Sequence, residues 1–183
     1  MVASLNINSS QRPCGHVTHA TLKENSKFVF APDPVQVFAE LSYSQRLEFH
    51  LAASAGLTLL DWFSSGRVAC GERWEISCFK SCNEVFITGR RAFLDSILLD
   101  SSDSSLAPPM RAGRFNCFAM LLLVCEPLRT VASQLLEKKS ARLVERKSSL
   151  VASASEICKG VNLRLCVGLV QGDSRNYQES DHV

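Results

Sequence analysis

Histidine is scarce in this sequence, with four residues in 183, and tryptophan scarcer still, with two. A Ser-His or Cys-His nucleophile therefore has little to draw on. No G-x-x-x-x-G-K, G-x-G-x-x-G, G-x-S-x-G or H-E-x-x-H pattern supplies a phosphate cradle, a dinucleotide loop, a nucleophile elbow or a zinc helix. An excess of one charge is missing too. The net charge is +2 and no dense basic block occurs, which excludes the electrostatic footprint of a nucleic-acid binder. The longest apolar run, Phe115 to Val124, is about half of the ~20 residues a membrane-spanning helix needs. The opening residues, MVASLNINSSQRPCGH, hold no apolar core of signal-peptide length. These absences lead to the expectation of a soluble, cytoplasmic protein with no membrane and no nucleic acid among its partners.

What remains is the composition of a globular domain, 46% hydrophobic and 21% charged, in a chain long enough to bury one core. Eight cysteines stand at 14, 70, 78, 82, 117, 125, 158 and 166. Cys70, Cys117, Cys125 and Cys166 fall inside apolar segments, where a free thiol behaves as a small hydrophobe. Only Cys78 and Cys82 are close enough to suggest a metal pair, and no second pair accompanies them. Reduced core thiols are the expectation. His16 and His19 invite a metal reading but stand in a polar opening segment where solvated histidines are the simpler reading.

Residues 1–16 are polar and aperiodic and are expected to be disordered, as is the tail 171–183; one β domain over 17–170 lies between them. Ser26–Ala31 reads as a short strand stopped by Pro32-Asp33-Pro34, an extended turn that displays the Asp33 carboxylate or lets it bond its own backbone. Tyr43–Leu51 alternates cleanly, with Tyr43, Leu47, Phe49 and Leu51 on one face and Ser44, Arg46, Glu48 and His50 on the other. His50 is therefore expected on the solvent face or across from a neighbouring strand. Glu84–Thr88, Ala92–Leu99, Phe115–Val124, Ser149–Ala154 and Val161–Val170 read as further strands. Ala92–Leu99 is apolar on both faces and is expected to be covered on both. One short helix is expected around 127–140, opened by Pro127, with Lys138, Lys139 and Arg142 at its negative pole. The fold class is mainly β: layered antiparallel sheets with one helix.

The central stretch is Leu59–Glu75, LLDWFSSGRVACGERWE. Both tryptophans, Trp62 and Trp74, flank a Ser64-Ser65-Gly66 turn, so strand, tight turn and strand are expected, with Gly66 at positive φ. Trp74, Ile76 and Cys78 alternate with Arg73, Glu75 and Ser77 as the outgoing strand. A hairpin here would bring Asp61 near Glu72. Two carboxylates suit acid/base work or the passage of a divalent cation, and they equally suit ion pairs with Arg67 and Arg73.

Three blocks in this order carry a resemblance. Asp61-Trp62, Ser65-Gly66-Arg67 and Gly71-Glu72-Arg73-Trp74 resemble the central signature of the UreD/UreH urease accessory proteins. Pro32-Asp33-Pro34-Val35 with Phe38 resembles that family's upstream motif, and Phe115-Asn116-Cys117-Phe118 resembles its downstream one. Pro32, Pro34, Trp62, Gly66, Arg67, Gly71 and Trp74 are then expected as structural motif residues. The resemblance implies a β-helix-like stack of sheets and no catalysis. It implies a scaffold in complex with a UreF-like protein, a UreG-like GTPase and urease apoprotein, with nickel in transit rather than tightly bound. Asp33, Asp61 and Glu72 are the implied candidates for lining the nickel route, since exchangeable oxygen ligands suit transit better than a thiolate cage. The family's glycine-rich GG-x-V-x-GD block and its helix after Val170 have no counterpart here, so a shortened member is expected. The alternative is a truncated β-sheet binding module that handles no metal.

Overall fold

The computed structural model describes residues 2–4, 14–101, 115–124, 133–134, 150–157 and 163–169. The chain is mainly β. In the first sheet lie β1 (Val2–Ser4), β2 (Cys14–Leu22), β5 (Ser42–Leu51), β7 (Cys78–Ile87) and β8 (Arg90–Asp100), in the order β1-β2-β5-β7-β8. The second holds β3 (Lys27–Phe30), β6 (Gly56–Ser64), β9 (Cys117–Val124), β10 (Leu150–Ser155) and β11 (Leu163–Leu169), in the order β10-β11-β9-β6-β3; β4 (Val35–Gln36) also pairs with β6.

The pairing is mixed rather than antiparallel throughout. β2, β5 and β7 lie parallel and adjacent, as do β3 and β6. Because β2, β5 and β7 occupy one sheet and the intervening β3 and β6 the other, the chain coils between two layers as a β-helix does. Parallel neighbours arise because each crossover passes through the opposite sheet, so no hairpin reverses the direction. Antiparallel pairs appear where the coil gives way, at β7–β8, β6–β9, β9–β11 and β10–β11.

Alternation decides which side chains lie between the layers. On β5, Gln45, Leu47, Phe49 and Leu51 are buried; on β6, Leu57, Leu59, Asp61 and Phe63. The interior divides into two apolar clusters. Ala20, Leu22, Leu47, Phe49, Leu57, Leu59, Val85, Phe93, Met120 and Leu122 belong to the larger. Val37, Phe63, Trp74, Ile76 and Phe79 form the smaller, towards the other end of the strands.

Several expectations need correction. No hairpin follows β6: residues 65–77 form a loop with a 3-10 turn at Val68–Cys70, and the next strand belongs to the opposite sheet. Positive φ at Gly66, Gly71 and Trp74 prevents an extended chain there. Trp74 and Ile76 are nevertheless buried and Arg73 and Glu75 exposed, so the burial alternation holds without the strand. β7 is longer than expected, running from Cys78 rather than Glu84. β8 is not covered on both faces: Leu94 and Leu98 are 47% and 57% exposed, on a strand that ends its sheet's order. Cys70 is exposed, held in the loop rather than in an apolar strand, while Cys117 is buried. Burial pushes the Cys117 thiol up, away from reactivity. Cys78 and Cys82 are free thiols four residues apart on one strand, about 13 Å by strand rise, too far to share an ion. Within the opening segment, β1 and the first residues of β2 are strands, since the ladders to their neighbours bond a polar backbone regardless of side-chain period. The tail 171–183 lies outside the described residues, as does the helix expected over 127–140 apart from Ser133 and Gln134, which are helical.

Candidate functional site

The three sequence blocks meet at the end of the stack marked by the smaller apolar cluster. β4 pairs with the end of β6, Val35 opposite Phe63 and Gln36 opposite Ser64. The Trp62 indole Nε1 donates to the Pro32 carbonyl at 2.7 Å, fixing the Pro-Asp-Pro turn against β6. Val37 is buried beside Phe63 and Trp74, and Phe38 lies under the Arg67 guanidinium at 4.6 Å from its ring centre. From the third block, the Phe115 carbonyl accepts from Trp74 Nε1 at 3.1 Å, and the Asn116 carbonyl accepts from the Ser65 amide at 2.8 Å. Phe118 packs on Phe63 and Trp74, both at 5.7 Å between ring centres.

The loop that closes this knot is held by one ion pair. Arg67 Nε donates to both Glu72 oxygens, at 3.0 and 3.1 Å, and its Nη2 also donates to Oε1. The bond from Arg67 holds the Glu72 carboxyl below the ordinary carboxylate range, and Glu72 raises the guanidinium in turn. A Cβ at Gly66 would stand 3.2 Å from Glu72 Cβ and 3.3 Å from its carbonyl oxygen, which is why the turn takes glycine beside its φ of +138°. Gly71 caps the 3-10 turn at φ +87°, its amide donating to the Val68 carbonyl. Trp74 adopts φ +60° and is held there by its amide bond to the Ser65 carbonyl, at 2.8 Å, and by its ring contacts.

Between the two apolar clusters lies a polar layer centred on Asp61. The carboxylate is 6% exposed, on the inner face of β6. Gln45 Nε2 donates to Oδ1 at 2.8 Å; Ser81 Oγ and Asn83 Nδ2 donate to Oδ2 at 3.1 and 2.6 Å. Gln45 also donates to Ser81 Oγ at 2.9 Å. One charged group from the second sheet is thus met by three neutral groups from β5 and β7 of the first. Asn83 is fully buried, and its Oδ1 accepts no hydrogen bond among the described residues. The layer therefore holds carboxylate, amide and hydroxyl oxygens in the buried interior.

Asp61 and Glu72 do not form the expected pair: the first is buried with neutral donors, the second is committed to Arg67. Asp33 is exposed on its turn. The ion-pair alternative holds for Glu72 and fails for Asp61, whose partners carry no charge. What the sequence reading missed is Gln45, Ser81 and Asn83, because their convergence on Asp61 depends on the register of β5, β6 and β7. The signal was faint but present: polar residues at positions where Leu47, Phe49 and Val85 mark the inward face.

A second group gathers on the outer face of the first sheet. His19, Glu48 and His50 bring their ligand atoms within 4.8 Å of one another, the one such cluster of three or more His, Cys, Asp or Glu among the described residues. His16 is not part of it. A strand turns side chains three apart to opposite faces, so the His16–His19 pairing fails on β2. No helix among the described residues is long and apolar enough to cross a membrane.

A family model for the UreD urease accessory protein matches residues 7–174. The urease accessory protein UreD of Sorangium cellulosum is 38% identical over 141 residues, covering 77% of this chain and 44% of that protein. Urease accessory protein D of Oryza sativa subsp. indica is 36% identical over 120 residues, 65% of this chain and 39% of its own length. The corresponding protein of Arabidopsis thaliana is 32% identical over 132 residues, 71% and 44%. The chain spans less than half the length of these curated relatives.

Proposed function

The chain belongs to the UreD family of urease accessory proteins, and from that membership we propose that it acts as a scaffold for nickel insertion into urease apoprotein. On this reading it is not an enzyme. It works in the cytoplasm in a complex with a UreF-like protein and a UreG-like GTPase, the latter supplying nucleotide hydrolysis. Nickel is cargo that passes through the scaffold and is not retained.

The observation that supports this reading is the polar layer at Asp61. A divalent cation entering a two-sheet core meets a steep desolvation cost unless oxygen ligands replace its water. Asp61 supplies negative charge, and the Asn83 and Ser81 oxygens supply neutral donors beside it, a set weak enough for nickel to leave again. The knot of tryptophans and glycines has the part of holding β4, β6 and the 65–77 loop in place around that layer. Glu72 serves the loop through Arg67, and Asp33 stands at its exposed margin. A second reading, a binding module that handles no metal, is favoured by one observation: Asp33, Asp61 and Glu72 share no hydrogen-bond partner and do not cluster.

The scaffold reading is tested by co-purification. An affinity-tagged chain co-expressed with the UreF-like and UreG-like proteins is expected to retain both through size exclusion. A folded, monodisperse chain that retains neither contradicts the reading.

A further inference from the structure

The outer face of the first sheet carries a constellation that plays no part in the function proposed above. β2 and β5 run parallel with His19 opposite Glu48. His50 follows Glu48 by two residues on β5 and so shares its face. Glu48 Oε1 lies 2.7 Å from His50 Nε2 and 3.7 Å from His19 Nε2, so both imidazoles aim one nitrogen at a single carboxylate oxygen. The supports are built in. His50 stacks flat on Phe86 of β7, 4.7 Å between ring centres and 5° between planes, which fixes its ring. The His19 ring lies 5.0 Å from that of His50. Arg46 donates to the other oxygen of Glu48 at 3.1 Å and also to Glu84, orienting the carboxylate while leaving Oε1 turned to the imidazoles. Side-chain exposures of 56% for His19, 23% for Glu48 and 36% for His50 leave the group reachable from solvent.

We propose that His19, Glu48 and His50 form a surface binding site for a first-row divalent transition cation. Two imidazoles and one carboxylate suit Ni(II), Co(II), Cu(II) or Zn(II) and disfavour Mg(II) or Ca(II), which take all-oxygen shells. Three protein ligands on two strands leave the remaining coordination positions to water, so the bound ion exchanges. Phe86 and Arg46 act as the outer supports that orient ligating side chains. Arg46 also places a positive charge beside the carboxylate, which moderates affinity and favours release over retention. The site stands on its own geometry and would be present in a chain with no role in urease maturation.

Co(II) titration of the purified full chain tests this, because cobalt reports its ligands. The expected result is one equivalent bound with weak visible d–d bands and no sulfur-to-cobalt charge-transfer band, which separates the site from the exposed Cys14 and Cys70 thiols. His19→Ala and His50→Ala each weaken that equivalent by about tenfold or more, since losing a ligand costs at least what losing an outer support does. His16→Ala leaves it unchanged. Protection of His19 and His50, but not His16, from diethylpyrocarbonate by Ni(II) in the unaltered chain gives the same answer without relying on a variant's folding. Undiminished binding in the folded His19→Ala/His50→Ala protein, or modification of His19 and His50 that Ni(II) leaves unchanged, overturns the proposal.

Discussion

Burying a carboxylate between two sheets costs several kcal/mol unless its lone pairs are met. Asp61 meets them with Gln45, Ser81 and Asn83, all neutral donors, and has no cationic partner among them. The arrangement is specific to an acceptor. In Asp61→Asn the new amide nitrogen faces the donors that now point at an oxygen, and one buried donor goes unmet. That substitution is expected to cost about 2–3 kcal/mol, read as a lower urea midpoint at unchanged slope. At this scale the sequence marked the buried acid but not its surroundings. Asp61 stood out as the lone charge in an apolar run, but the partners lie 16, 20 and 22 residues away on other strands. His19 and His50 were each visible as well, and only the parallel register of β2 with β5 joins them.

At the scale of elements, β5 was legible from its period-two alternation, and β6 and β9 from short apolar runs of strand length. The loop after β6 was not. Its Trp-x-Ile alternation has the burial of a strand, yet its backbone departs at Gly66, Gly71 and Trp74, and no sequence period records a crossover to the opposite sheet. The loop is instead closed by the Arg67–Glu72 pair, and this has a pH signature. The folded Glu72 carboxyl lies below its ordinary value because Arg67 bonds it. Its stabilisation is therefore complete above the unfolded pKa and is lost as pH falls through the depressed folded value. Glu72→Gln is expected to unfold at lower urea than the unaltered chain at neutral pH, with the gap closing as pH falls below the ordinary carboxylate range. A gap independent of pH would show that the pair contributes through packing alone.

The molecule as a whole is a coil of strands between two sheets, with its interior interrupted by one charged layer and its sequence motifs tied at one end. The mainly β class was legible from strand count and turn residues. The mixed pairing was not, since each strand alternates alike whether its neighbour runs parallel or antiparallel. The proposal of a scaffold that passes nickel rather than keeping it rests on membership of the UreD family and on the oxygen-rich layer at Asp61. The direct test is the nickel content of urease co-expressed with this chain and the UreF-like and UreG-like proteins in a host that has no UreD of its own. The account predicts nickel-loaded, active urease with the unaltered chain, and nickel-free urease with Asp61→Asn at equal amounts of assembled complex. Full nickel loading with Asp61→Asn, or nickel-free urease in an assembled complex holding the unaltered chain, would contradict it.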